Sequence, residues 1–151
     1  MTTSRPRAAD PTPGTPSRIR QGDREKAYRP LPLETRRAAF EAGLAAYERG
    51  DFFLAHEELE PAWMGSDDLD ERALHQGLIK LAAAYVHAVR GNPAGVAKNL
   101  AGARRHLGAV TAAAGVWGVD LGPLLADVDA RLADPALAAA SPPPIPRIPR
   151  P

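Results

Sequence analysis

The sequence contains no cysteine. That excludes a disulfide framework and thiolate chemistry, and leaves nothing to indicate an oxidising compartment. Charge of one sign is also missing: Lys+Arg 19 against Asp+Glu 18 leaves a formal net charge of +1. So balanced a chain argues against a broad nucleic-acid surface. No long hydrophobic run is present. The longest is broken by Lys80 and His87 and falls short of the ~20 residues that span a bilayer. The N-terminus has no apolar signal core, so a soluble cytoplasmic protein is the expectation. Strand patterning and internal repeats are absent as well.

What is present suffices for one domain with a real core: 151 residues, 44% of them hydrophobic. The 16 prolines gather at the two ends. Residues 1–30 are rich in Pro, Arg, Thr and Asp with few large apolar side chains, so they cannot bury enough surface to offset ordering entropy. They read as a disordered basic arm with scattered rather than clustered arginines. Residues 135–151 read as a disordered Pro-rich tail ending in Ser-Pro-Pro-Pro-Ile-Pro-Arg-Ile-Pro-Arg-Pro. This run suits polyproline II and a solvated state, although its spacing permits an aromatic-groove ligand.

Between them, residues 31–134 predict an all-α fold, a compact antiparallel bundle of about five helices. The first helix spans about Leu33 to Arg49, with Phe40, Leu44 and Tyr47 inward. Gly50 ends it and Asp51 caps the second, which forces an antiparallel hairpin. Pro61 predicts a kink or an early end to that second helix. The third, about Asp68 to Arg90 and capped by Ser66 or Asp67, carries Leu74, Leu78, Leu81, Tyr85 and Val89. It is apolar almost all round and should be central. In Gly91-Asn92-Pro93 the Gly closes one helix, Asn92 caps the next and Pro93 opens it. A fourth helix runs to about Ala114. A Gly-rich link passes through Trp117, and a last helix covers Pro123 to Ala133.

The chemistry-bearing residues lie in the second and third helices. At about 100° per residue, His56, Glu60 and Trp63 share a face, with Phe53, Glu57, Glu60 and Met64 beside it. Acidic groups are thus expected on the core side. On the third helix Gln76, Lys80, Ala83 and His87 share a face, which the simplest packing turns toward His56, Glu57 and Glu60. Charge supports that pairing. Residues 51–71 contain eight acids (Asp51, Glu57, Glu58, Glu60, Asp67, Asp68, Asp70, Glu71) and no Lys or Arg, whereas 72–119 contain bases and no acid.

The run Phe53-x-Ala55-His56-Glu57-x-Leu59-Glu60-x-x-Trp63, followed by Gln76-Gly77-Leu78-Ile79-Lys80 and then His87, Gly91 and Asn92, resembles the domain-of-unknown-function 309 family. The resemblance covers roughly Phe40 to Val110. It implies a small all-helical protein of bacterial or plastid type, and weight on the His-Glu and Gln…His positions. It implies no activity.

Two readings follow. In the first, His56, Glu57, Glu60, Gln76 and His87 form a buried polar cluster that holds a small ligand or a divalent metal ion. The metal donors would be His56, Glu60 and His87, and Glu57 is the candidate base for metal-assisted hydrolysis. The pattern departs from the metallopeptidase His-Glu-x-x-His, because Glu60 replaces the second histidine. The same cluster could instead be a hydrogen-bond network that fixes helix register. His75 is a weaker candidate near the helix start. In the second reading the hairpin Phe40 to Met64 resembles one tetratricopeptide-like unit, and the chain is a protein-interaction adaptor with the cluster purely structural. Helix-mediated homo-oligomerisation is compatible with both.

Overall fold

The computed structural model describes residues 18–21, 24–27 and 29–149. Its fold is all-α, preceded by a small hairpin. Strands β1 (Arg18–Gln21) and β2 (Arg24–Ala27) pair antiparallel, with Gln21 opposite Arg24. The expected structureless arm therefore contains paired strands, and the rest of it (1–17, 22, 23 and 28) lies outside the described residues.

Helices α1 (Leu33–Glu48) and α2 (Phe52–Met64) form the expected hairpin. Gly50 takes φ 84° and the Asp51 carboxylate accepts from Leu54 N–H. Helix α2 does not stop at Pro61; it runs on to Met64. The open C-terminal carbonyls of such a helix need donors. Arg29 N–H donates to Met64 O and Leu31 N–H to Gly65 O, so the chain entering α1 covers the end of α2.

Helix α3 (Leu69–Val89) carries ten buried residues and is the central element. Its cap is Asp68, whose carboxylate accepts from Asp70 and Glu71 N–H, not Ser66 or Asp67. Ser66 Oγ instead accepts from Asp68 N–H. Between α3 and α4 (Pro93–Gly108), Gly91 has φ 68° and Asn92 Oδ1 accepts from Gly95 N–H, as the punctuation predicts. The two helices pack closely at Gly77. A Cβ there would lie 2.6 Å from Leu107 Cγ and Cδ2, and Leu107 is wholly buried. Gly77→Ala would add helix propensity of about 1 kcal/mol, yet overpacking should outweigh it. We expect a net loss of about 1–2 kcal/mol in urea unfolding; a stabilised variant would refute the close approach.

The chain beyond α4 departs most from expectation. The link through Trp117 is a short helix, α5 (Ala113–Trp117), and Trp117 is 2% exposed. Asp70 fixes its start by accepting from Thr111 and Ala113 N–H, each at 2.8 Å. Burial pushes the Asp70 carboxyl up, but these backbone donors outweigh it and hold the group below its usual range. Helices α6 (Leu121–Ala133) and α7 (Pro135–Ala140) then pack on α4. The five long helices match the expected bundle, with α5 and α7 as additions.

The Pro-rich segment is not a solvated tail. Pro143 is buried, and Ile145 is 8% exposed within the core cluster. Val119 pairs with Arg147 as an antiparallel bridge. The reason is tertiary: α1, α3 and the turn after α5 leave an apolar trough that this segment fills.

Candidate functional site

Helix α2 turns Ala55, Leu59, Ala62 and Trp63 to the core. That stripe hides Leu and Trp without stripping water from carboxylates, which is the cheaper solution. The expected stripe of Phe53, Glu57, Glu60 and Met64 is accordingly displaced outward. Phe53 and Glu57 are exposed, and His56 and Glu60 are half-buried. Glu57 and Glu60 border a shallow surface cleft of about 330 Å³ with Arg29, Leu31 and Met64.

The polar stripe of α3 meets α4. Lys80 runs beside Gly102, where its aliphatic carbons lie 3.5 Å from the position of an added Cβ. The His87 ring covers Gly95, with Nδ1 only 2.4 Å from a Cβ placed there. Asn92 Nδ2 donates to His87 Nδ1 at 3.2 Å while Asn92 Oδ1 caps α4. His87 Nδ1 is therefore an acceptor already in use, and His87 and Asn92 together fix the α3–α4 turn. Gln76 Oε1 is buried without a protein partner. His106 of α4 is held below its ordinary value by burial, with Arg105 and Lys80 adding positive charge nearby.

These placements correct the expected metal set. Among the described residues, no group of three or more His, Cys, Asp or Glu side chains is disposed to hold a metal ion. His56 and Glu60 sit on α2, while His87 is committed to Asn92 and Gly95 on the α4 side. The acidic and basic blocks do not simply neutralise each other either. Glu71 pairs with Arg36 of α1, and Arg104 of α4 pairs with Asp129 of α6 at 2.7 Å.

Arg72, which the motif reading passed over, and His75, which it ranked below the motif positions, are the most deeply buried polar groups. Arg72 is 0% exposed; its guanidinium donates to Trp63 O and Ser66 O and lies over the Trp63 ring. It thus caps α2 from α3 and gives Trp63 a structural role. His75 is also 0% exposed. Its ring meets Phe40 and Trp117 edge-to-face, with centroids 5.6 and 4.5 Å away, and neither nitrogen has a protein partner. Burial, helped by the Arg36 charge, pushes its pKa down to about 3, so it is neutral. The signal for His75 was its place on the Ile79 side of α3, about 100° around the helix from Gln76.

The surface offers a different feature. At the open end of the α2–α3 pair, a cleft of about 280 Å³ is lined by Gly50, Asp51, Phe52, Phe53, Val86, Val89 and Arg90, with the Asp51 carboxylate taken up as the cap of α2. Val89, expected in the core stripe, is 76% exposed and Phe53 is 56% exposed. Both sit where the helices end, and among the described residues no further element covers them.

Residues 40–99 match the family model of the domain of unknown function DUF309. The match begins at Phe40 in α1 and ends within α4, so α5 to α7 and the Pro-rich segment lie outside it. Comparison with curated proteins yields no match. Among the described residues, no helix is long and apolar enough to cross a membrane.

Proposed function

With the DUF309 match over residues 40–99 as premise, we propose that this chain is a protein-interaction module that binds a short segment of a partner in the α2–α3 groove. One observation carries the reading: Phe53 and Val89, both largely exposed, line the same cleft with half-buried Val86 between them. Single exposed apolar residues are ordinary, but a contiguous group is a contact surface. Covering each side chain is worth at most about 1.5–3 kcal/mol, since both are already partly covered. Arg90 borders the cleft and makes no ion pair among the described residues. The fitting partner is therefore a segment with two neighbouring apolar side chains and a carboxylate. The stacked antiparallel helices supply the rigid platform such adaptors use.

The test is to pan a displayed random-peptide library on the intact protein, with counter-selection on a Phe53→Ser/Val89→Ser variant. Enriched peptides should carry paired apolar residues and an acid, and should bind the variant at least tenfold more weakly. The variant should melt close to the wild type, because both side chains are exposed. No enrichment, or peptides that bind both proteins equally, defeats the reading.

A further inference from the structure

The trough occupied by Ser141–Ile148 has the construction of a peptide-binding site. Its floor is apolar and receives Pro143 and Ile145, while Pro142 and Pro144 face outward. Its wall supplies donors to the segment's carbonyls. Tyr47 OH donates to Pro143 O at 2.8 Å, and Arg131 Nε donates to Ser141 O. The turn after α5 pairs with the segment through its backbone: Asp120 N–H donates to Pro146 O and Ile148 N–H to Gly118 O. Its far end holds a charge. Glu41 takes Arg147 through both carboxylate oxygens, at 3.2 and 2.9 Å, and the guanidinium lies 5.2 Å from the Phe40 ring centroid.

Backbone pairing along an exposed edge, a pocket for alternate side chains and one charged anchor are the elements of recognition by strand addition. A proline-rich ligand suits the trough because it lacks most N–H donors and loses little entropy on ordering. The resident segment also underfills its site. A cleft of about 480 Å³ stays open beside Pro142 and Pro144, walled by Tyr47, Arg49 and Phe52.

We propose that this trough is a binding site for an extended Ile-Pro-Arg-bearing segment of another protein, and that Ser141–Ile148 is its resident, displaceable occupant. The partner's isoleucine takes the place of Ile145, and its arginine takes Glu41. Tethering gives the resident segment an effective concentration in the ~mM range, so entry in trans is weak until the resident is released. The site adjoins the Phe53–Val89 cleft at Gly50 and Phe52 but includes neither Phe53 nor Val89.

The probe is a fluorescent peptide of residues 141–149, titrated into full-length chains and read by anisotropy. Arg147→Glu sets a carboxylate against Glu41 and loosens the resident segment while leaving the trough intact. It should bind the probe severalfold more tightly than the unaltered chain. Adding Glu41→Lys restores an opposite-charge pair, re-seats the resident and repels the probe's arginine, so binding should be lost again. Phe53→Ser/Val89→Ser should leave probe binding unchanged, which separates failure here from failure of the other groove. A folded Arg147→Glu chain that binds no better than the unaltered one overturns the proposal. So does an Arg147→Glu chain without a cooperative melt, because the segment is then a fixed strand. A concentration-dependent dimer of the unaltered chain that the probe dissolves assigns the trough to a second copy and also overturns it.

Discussion

Deletion of residues 141–151 is expected to lower the melting temperature by about 6–12 °C, equivalent to about 3 kcal/mol in a chain of this size. The segment hides Ile145, whose burial is worth about 1.5–3 kcal/mol. It also accepts the Tyr47 hydroxyl, a bond worth about 1 kcal/mol net. The Arg147–Glu41 pair is half-exposed and adds little, about 0–1 kcal/mol. Against these stands the entropy of ordering the segment, reduced by its prolines. Tyr47 provides a second readout. Burial, with the neighbouring Tyr85 adding to it, holds its phenol far above the ordinary value. On deletion the phenol should titrate near a free tyrosine, as followed by ultraviolet absorbance. An unchanged melt and an unchanged tyrosine titration would mean that the segment does not dock in solution.

His75→Leu should flatten the acid side of the stability profile. Folded His75 stays neutral down to about pH 3, whereas the unfolded chain takes up its proton near pH 6.5. The contribution of this group is therefore full above 6.5 and falls as pH drops from 6.5 toward 3. The slope from one such proton is about 1.4 kcal/mol per pH unit, and the whole loss is on the order of 4 kcal/mol. Arg36 faces His75 from α1 and opposes its protonation at every pH in that window. His106 is also depressed and acts in the same direction, while Asp70 matters only near and below the ordinary carboxylate range. Both remain in the variant, so the difference between the two chains isolates His75. At neutral pH leucine also removes two desolvated nitrogens, a gain of about 1 kcal/mol after the lost aromatic contacts are counted. Urea midpoints measured from pH 7 to pH 4 test both statements. Equal acid slopes would show that a solvent path reaches the ring.

Two clefts gather several exposed apolar and charged side chains. Phe53 and Val89 are exposed at the end of one helix pair, and Arg49 and Phe52 border the open cleft next to it. Both clefts share Gly50 and Phe52 at the α1–α2 turn. Exposed apolar side chains thus concentrate at one end of the hairpin, while the His-Glu and Gln…His positions of the motif lie along α2 and α3. The Asn92–His87–Gly95 contact gives the C-terminal part of that motif a structural purpose, because it locks the turn that sets α4 against α3.

Helix boundaries were legible in the amino-acid order wherever their cause is local. Gly50-Asp51 and Gly91-Asn92-Pro93 stop and start helices through backbone conformation and a side chain three residues away, and both act as expected. The apolar period of α3 likewise made it central, because continuous burial is a property of the helix's own sides. Tertiary structure decided everything that depends on which neighbour a face meets. Periodicity gives an angle around one helix axis but no angle between helices, so the Gln76–His87 stripe went to α4 and the metal donors stayed apart. It could not foresee α5, whose five residues are too few to nucleate alone and are held by Asp70 from 41 and 43 residues away. Nor could it seat the Pro-rich segment. Its affinity for Tyr47, Phe40 and Glu41 is a sum of contacts across some 100 residues of chain, and only the folded bundle brings them to one trough.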